Sequence, residues 1–238
     1  MIADDGYAVL KLHGWATSWL RVLVTDMLGP LETYAPPGDI SQDQIRVSKA
    51  LHAAPEWREL LQENADALRA VMGPDLLYQQ EPYLRIARPG RPEDQVGIHR
   101  DTHYGTSDKE WVLWVPLTEA THGAELRILP GSHTKPMDAY PWTQVVNEDC
   151  PKGSDKHWLG FRYAPKRMSA EVEAATLPVP CHVGEAILFN CAAVHGQIVN
   201  EAPWTRFSLD IRLVAADADI NVSRGVHGNI YVPLEARG

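Results

Sequence analysis

Three side chains in this sequence have the types a divalent metal needs. His99 and Asp101 form a His-x-Asp within Val96-Gly97-Ile98-His99-Arg100-Asp101, and His195 opens a His-Gly pair further on. In extended backbone, residues i and i+2 point the same way, so the imidazole and the carboxylate of the His-x-Asp converge on one point. Two imidazoles and a carboxylate suit Fe(II), and three protein ligands leave three coordination positions open. A bidentate 2-oxo acid and O2 can fill those positions. Alone, the His-x-Asp is a weak signal, because it recurs by chance in many chains.

The far carboxylate of such an acid needs a rigid cation, which arginine supplies better than lysine through its planar, bidentate head. After His195 come Gly196-Gln197-Ile198-Val199, then Asn200-Glu201-Ala202-Pro203, then Trp204-Thr205-Arg206. This pattern predicts a hairpin turning at Asn200–Pro203. His195 then lies opposite Arg206 or Ser208, according to where the turn is centred. Arg206 and Ser208 share a face either way. A histidine, an arginine and a hydroxyl are therefore expected to face one space.

The elements that must hold these residues fall into two zones. Residues 7–12 read as an opening strand. Apolar residues from Thr17 to Tyr34 recur at helical spacing, with Pro30 kinking or ending the run. A second helix is expected over 42–53 with Ser41 as N-cap, and a third over 55–72, stopped by Gly73-Pro74. Beyond Asp75, strands are expected at 76–87, 111–117, 125–129, 177–183, 186–190, 194–199 and 205–214. Helices first and short strands later predict an α+β chain with a sandwich or barrel core. Residues 133–176 fit neither pattern and are expected to form a lid or binding segment.

Composition narrows the function classes. The 238 residues carry 22 basic and 31 acidic side chains, a formal net charge of −9, which argues against a nucleic-acid partner. The three cysteines, Cys150, Cys181 and Cys191, form no Cys-x-x-Cys pair, so neither a disulfide framework nor a zinc ribbon is expected. The N-terminus has no basic segment followed by an apolar one, and no apolar run is long enough to span a membrane. One cytoplasmic domain over 1–238, without a membrane partner, is the expectation.

Several segments together resemble one family. They are His99-Arg100-Asp101, Leu113-Trp114-Val115-Pro116-Leu117, the run from Gly123 to His133 ending in Pro130-Gly131-Ser132-His133, Val183-Gly184-Glu185-Ala186-Ile187-Leu188-Phe189, His195-Gly196 and Arg206. The chain resembles, over about residues 76–214, the phytanoyl-CoA dioxygenase-like branch of the Fe(II)/2-oxoglutarate oxygenases. The resemblance implies a double-stranded β-helix, a jelly-roll core with N-terminal helices (15–73) packed on one sheet. It implies His99, Asp101 and His195 as metal ligands, Arg206 as anchor of 2-oxoglutarate, and Trp114 beside that cosubstrate. Related halogenases carry a small residue in place of the carboxylate, so Asp101 implies oxygenation.

The remaining polar residues receive weaker expectations. Along 205–214, Phe207, Leu209, Ile211 and Leu213 face the helices, while Arg206, Ser208, Asp210 and Arg212 face the interior. Asp210 and Arg212 are expected to pair with each other, with substrate contact as the alternative. Gln79 and Arg85 share the parity of Tyr83 and are candidates for cosubstrate or substrate contact. Tyr104 is a further substrate candidate. His133 is read as structural within its turn, and His103 as lying at the pocket mouth or in solvent. His13, His52, His122, His157 and His227 have no partner pattern. Asn190 is a minor candidate near the metal. Residues 152–167 are basic and hold Trp158, Phe161, Arg162 and Tyr163. Trp158 and Arg162 there suggest a small polar substrate, such as a sugar or sugar-containing natural product. Two rivals stay open: a cupin-like Zn or Mn hydrolase or isomerase using the same trio, and a non-catalytic sugar-binding jelly roll.

Overall fold

A computed structural model describes residues 2–144, 166–219 and 231–235. Its architecture follows from period-two alternation in the strands. The central strand β11 (Arg206–Ala215) sends Phe207, Leu209, Ile211 and Leu213 into a cluster shared with the N-terminal helices. Its alternate residues face the other way, and Asp210 and Arg212 line a cavity there. Antiparallel neighbours flank it: β4 (Trp111–Pro116) on one side, β2 (Leu76–Gln79) and β3 (Tyr83–Ala87) on the other. The sheet continues from β4 to β9 (Glu185–Asn190) and β1 (Tyr7–Lys11), and from β2 to β12 (Tyr231–Pro233).

A second, smaller antiparallel sheet holds β10 (His195–Gly196), β5 (Leu126–Ile128) and β8 (Leu177–Val179), in that order. The same alternation in β4 and β9 separates two cores. Leu113, Val115, Ala186 and Leu188 face the helices. Val112, Trp114, Ile187 and Phe189 meet Leu126, Ile128 and Val179 of the small sheet. This is the jelly-roll core with helices on one sheet that the resemblance implied.

The helices supply the outer cover. After the short α1 (Ile2–Asp5), α2 (Ala16–Leu28) ends at Gly29, whose φ of 83° suits glycine, just before Pro30. In α3 (Ser41–Ala53), Ile40 is the cap rather than Ser41; the Ser41 amide and hydroxyl both donate to Asp39. Gln44 of this helix donates to the Leu84 carbonyl of β3 at 2.6 Å, tying helix to sheet. The expected third helix breaks into a 3-10 turn (Pro55–Arg58), α4 (Glu59–Glu63) and α5 (Ala65–Met72). Buried Asn64 sits at the break. Its side chain bonds both backbone groups of His13 and the Leu60 carbonyl, the local competition that disfavours Asn inside a helix.

Other expectations need correction. The strand over 76–87 divides into β2 and β3, both pairing with β11. The strand over 194–199 shrinks to two residues. Most consequentially, β10 and β11 do not form a hairpin, because each pairs within a different sheet. The segment 133–176 is not structureless throughout. It contains the ladder of β6 (Trp142–Gln144) with β7 (Lys166–Met168), and helix α6 (Ala170–Ala175). Cys150, His157, Trp158, Phe161, Arg162, Tyr163 and His227 lie outside the described residues.

Candidate functional site

His99 and His195 are brought together by backbone. They form an antiparallel bridge, with His99 N to His195 O at 2.8 Å and His195 N to His99 O at 2.9 Å. The imidazole centroids stand 4.6 Å apart. Gly196 permits this approach. A Cβ there would sit 2.1 Å from the carbonyl oxygen of Gly97, an atom that cannot move aside. Arg100 between the two His-x-Asp residues is extended (φ −121°, ψ 134°), so His99 and Asp101 do point to one side.

Each imidazole is oriented by its own strand. Nδ1 of His99 lies 2.9 Å from the Gly97 carbonyl, and Nδ1 of His195 lies 2.9 Å from the Ala193 carbonyl. A carbonyl only accepts, so each Nδ1 donates, and in the neutral ring the lone pair then sits on Nε2. Nε2 of His99 is 3.3 Å from Asp101 Oδ1, and Nε2 of His195 is 4.0 Å from Asp101 Oδ2. The ligand atoms of the trio lie within 4.8 Å of one another, and all three residues are buried.

Electrostatics prepare the trio for a cation. Burial alone would raise the Asp101 carboxyl; Arg212, His195 and His99 overrule it and hold it well below the usual range. Burial, then the neighbouring His99, lowers His195 to about 4, against the pull of Asp101. At neutral pH the site therefore offers a carboxylate and a neutral imidazole lone pair from His195. Two nitrogens and one carboxylate oxygen on one open side fit a facial, three-ligand metal site.

A cavity, partly open to solvent, adjoins the trio. Its wall includes Trp114, Gln197, Arg85, Asp210 and Arg212, and the Phe189 ring is tilted 49° to that of His195 with centroids 4.5 Å apart. Arg206 and Ser208 sit directly behind this wall. The Arg206 guanidinium lies 5.4 Å from the Trp114 ring and bonds Gln197 Oε1 at 2.5 Å and Ser208 Oγ at 3.4 Å. Arg206 is 1% exposed, and among the described residues its Nε and the indole N–H of Trp114 meet no bond partner. Among the described residues, no carboxylate lies in ion-pair range of Arg206. Burial pulls its guanidinium down to about 10, with Asp210 opposing. A buried cation without a counter-charge is costly, and an incoming carboxylate relieves that cost.

The other sequence candidates divide. Asp210 and Arg212 do not pair with each other. Asp210 bonds Arg85 at 2.7 Å and Arg212 bonds Asp101 at 3.1 Å. Gln79 is buried outside the cavity wall and donates to the Glu81 carbonyl. Tyr104 stands with its ring 5.8 Å from His99. His103 is buried rather than in solvent, and its Nε2 meets the Met137 carbonyl. Asn190 serves the backbone, bonding Asp108 O and Ala192 N. His133 packs over Gly6, a structural place.

Sequence reasoning missed Gln197 and Arg100. Gln197 stands two residues beyond His195 in the strand expected over 194–199, so alternation placed the two on one side, which was signal enough. Arg100 faces away from the trio. Its guanidinium donates to the carbonyls of Ala192, Ser132, Lys135 and Pro136 at 2.6–2.9 Å, clamping the Pro130–His133 turn. Nothing in its local sequence distinguishes that role from a surface arginine.

The fold is shared with solved structures. The non-heme monooxygenase ThoJ in its apo form aligns with TM-score 0.61 and 20% identity, covering 90% of this chain and 75% of ThoJ. EvdO2 from Micromonospora carbonacea var. aurantiaca, complexed with 2-oxoglutarate, aligns with TM-score 0.61 and 17% identity, covering 92% and 90%. The epimerase SnoN, in complex with Fe3+, alpha ketoglutarate and nogalamycin RO, aligns with TM-score 0.52 and 16% identity, covering 90% and 81%. No curated protein sequence matches the chain. Among the described residues, no helix is long and apolar enough to cross a membrane. The sequence profile described as Phytanoyl-CoA dioxygenase (PhyH) matches residues 37–204, more than half of the chain. The chain therefore belongs to the phytanoyl-CoA dioxygenase (PhyH) family of 2-oxoglutarate-dependent non-haem iron oxygenases.

Proposed function

We propose that His99, Asp101 and His195 hold the iron, that Arg206 with Ser208 anchors the far carboxylate of 2-oxoglutarate, and that a small polar molecule is hydroxylated or otherwise oxidised at a C–H bond. The observation that carries this reading is the buried Arg206 guanidinium, uncompensated beside a cavity that also holds a two-His, one-Asp trio. A hydrolase or isomerase site with Zn or Mn has no use for that cation, and a sugar-binding jelly roll has no use for the trio.

Bound iron supplies activation of O2 coupled to oxidative decarboxylation of the 2-oxo acid. The chain's residues do the rest. The Gly97 and Ala193 carbonyls hold both imidazoles in the ligating tautomer. Arg206 fixes the cosubstrate by its far end, so its 2-oxo acid end reaches toward the trio. Trp114 covers the Arg206 guanidinium and keeps water from it. The Arg85–Asp210 pair on the cavity wall offers both signs of charge to a polar substrate. The SnoN complex, which holds a natural product with iron and 2-oxo acid, supports a ligand of that class. A sugar or sugar-containing natural product fits this wall best, and the cytoplasm is the proposed location.

Succinate release and O2 uptake with Fe(II) and 2-oxoglutarate test the reading, followed by mass spectrometry of candidate substrates for a gain of one oxygen. Each of His99→Ala, Asp101→Ala and His195→Ala is expected to abolish turnover. Intact turnover in all three would remove the assignment.

A further inference from the structure

Asp101 has two oxygens, and the structure treats them differently. Oδ1 faces His99 Nε2 at 3.3 Å, and Oδ2 stands farther from the other imidazole, 4.0 Å from His195 Nε2. Oδ2 accepts a hydrogen bond from Arg212 Nη2 at 3.1 Å. The Arg212 side chain is itself pinned, because its Nη1 donates to Cys191 Sγ at 3.0 Å. Cys191 is buried, and its carbonyl accepts the Asp101 amide at 3.2 Å. One residue thus holds both the backbone of Asp101 and the guanidinium that grips its carboxylate. Other acids near Arg212 are engaged elsewhere: Asp210 with Arg85, and Glu110 with the Tyr231 hydroxyl and the Ser107 amide.

We infer that Arg212 is a positioning residue that reserves Oδ2 of Asp101 and leaves Oδ1 as the single oxygen for the metal. This rests on the metal reading of the trio. A planar guanidinium with two anchored nitrogens has one direction, so it fixes the carboxylate rotamer before a metal arrives. A carboxylate gripped at one oxygen ligates through the other. Ligation through both oxygens would take one of the positions that 2-oxoglutarate and O2 need. Opposing this is charge: the guanidinium also repels an incoming cation. The outer contacts of metal ligands typically raise affinity 10- to 100-fold, so the positioning effect is expected to win.

The test is titration with Co(II) alone, read by the visible absorption of the bound ion, with folding checked by circular dichroism. Wild type is compared with Arg212→Met, which keeps bulk but removes charge and donors, and Arg212→Lys, which keeps charge on a single nitrogen. The expected order of affinity is wild type, then Lys, then Met, with about a tenfold or larger loss in Met and a shifted Co(II) band. Unchanged affinity and band in Arg212→Met overturn the inference, as does tighter binding, which would mark a merely repelling cation. Should Arg212→Met not fold, Arg212→Lys decides alone. A single ammonium cannot reproduce the guanidinium's fixed pair of bonds to Asp101 and Cys191, so a weaker, shifted site supports the inference and a wild-type site overturns it. Wild type that binds no Co(II) sinks the metal reading itself; wild type that binds with both variants unaffected sinks only the role of Arg212.

Discussion

The backbones of His99 and His195 are joined by two reciprocal hydrogen bonds, so the two imidazoles are set by one rung of sheet rather than by separate loops. The rung extends the small sheet by one residue pair beyond β10, and it places the rings 4.6 Å apart. Preorganisation of this kind keeps the binding energy of the ion from being spent on folding the site.

Gly196 is the weak point of that rung. A methyl group there meets backbone, not a movable side chain, at 2.1 Å from Gly97 O and 2.9 Å from Ile98 Cα. Gly196→Ala must push the His99 segment away. The expected cost is ~1–3 kcal/mol of stability from overpacking, with a larger loss of metal affinity because the rings separate. Urea denaturation and Co(II) titration measure the two. A variant with wild-type metal affinity would show that the close approach does not matter.

Arg206 yields an opposite pair of effects. Its charge is buried, and among the described residues its side-chain hydrogen bonds go to Gln197 and Ser208. Arg206→Met removes a desolvated cation and keeps most of its bulk. Oxoglutarate-free protein is expected to be as stable as wild type or more so, by about 1 kcal/mol. The thermal shift given by 2-oxoglutarate should vanish, and KM for it should rise roughly a hundredfold, as for loss of a charge-assisted bidentate contact. Strong destabilisation of the oxoglutarate-free variant would mean that the guanidinium is structural.

Much of the site was legible because its determinants are local. The convergence of His99 and Asp101 needs only extended Arg100, and the split of β11 into a helix-facing and an interior-facing row needs only alternation. The hairpin expectation failed because sheet membership is a long-range property: β10 finds β5 and β11 finds β4, and no turn residue between them encodes that choice. The expected Asp210–Arg212 pair failed for a related reason. Residues i and i+2 on a strand share a face but stand about 6.6 Å apart, whereas cross-strand neighbours are closer. Ser208 is the register partner of Arg85, which reaches diagonally to Asp210, and Asp101 captures Arg212 from outside the sheet.

The last prediction concerns a residue that touches neither metal nor cosubstrate. Arg100 donates to four carbonyls, of which Ala192 O belongs to the segment leading into His195 and Ser132 O to the Pro130–His133 turn. Ser132 carries the link further: its hydroxyl donates to Leu129 O at 2.6 Å and accepts the Val194 amide at 2.8 Å, one residue before His195. Arg100→Lys keeps the charge but cannot span four acceptors with one ammonium. At least one or two buried carbonyls then lose their donor, which costs about 2–3 kcal/mol. Ser132→Ala strips the buried Val194 amide of its acceptor at a cost of about 1–3 kcal/mol. Both variants should loosen His195 and weaken Co(II) binding, although neither residue is a ligand. Urea denaturation with parallel Co(II) titration reads both effects. An Arg100→Lys protein within 0.5 kcal/mol of wild type, a small surface-type effect, would show that the turn holds itself and that the guanidinium is dispensable.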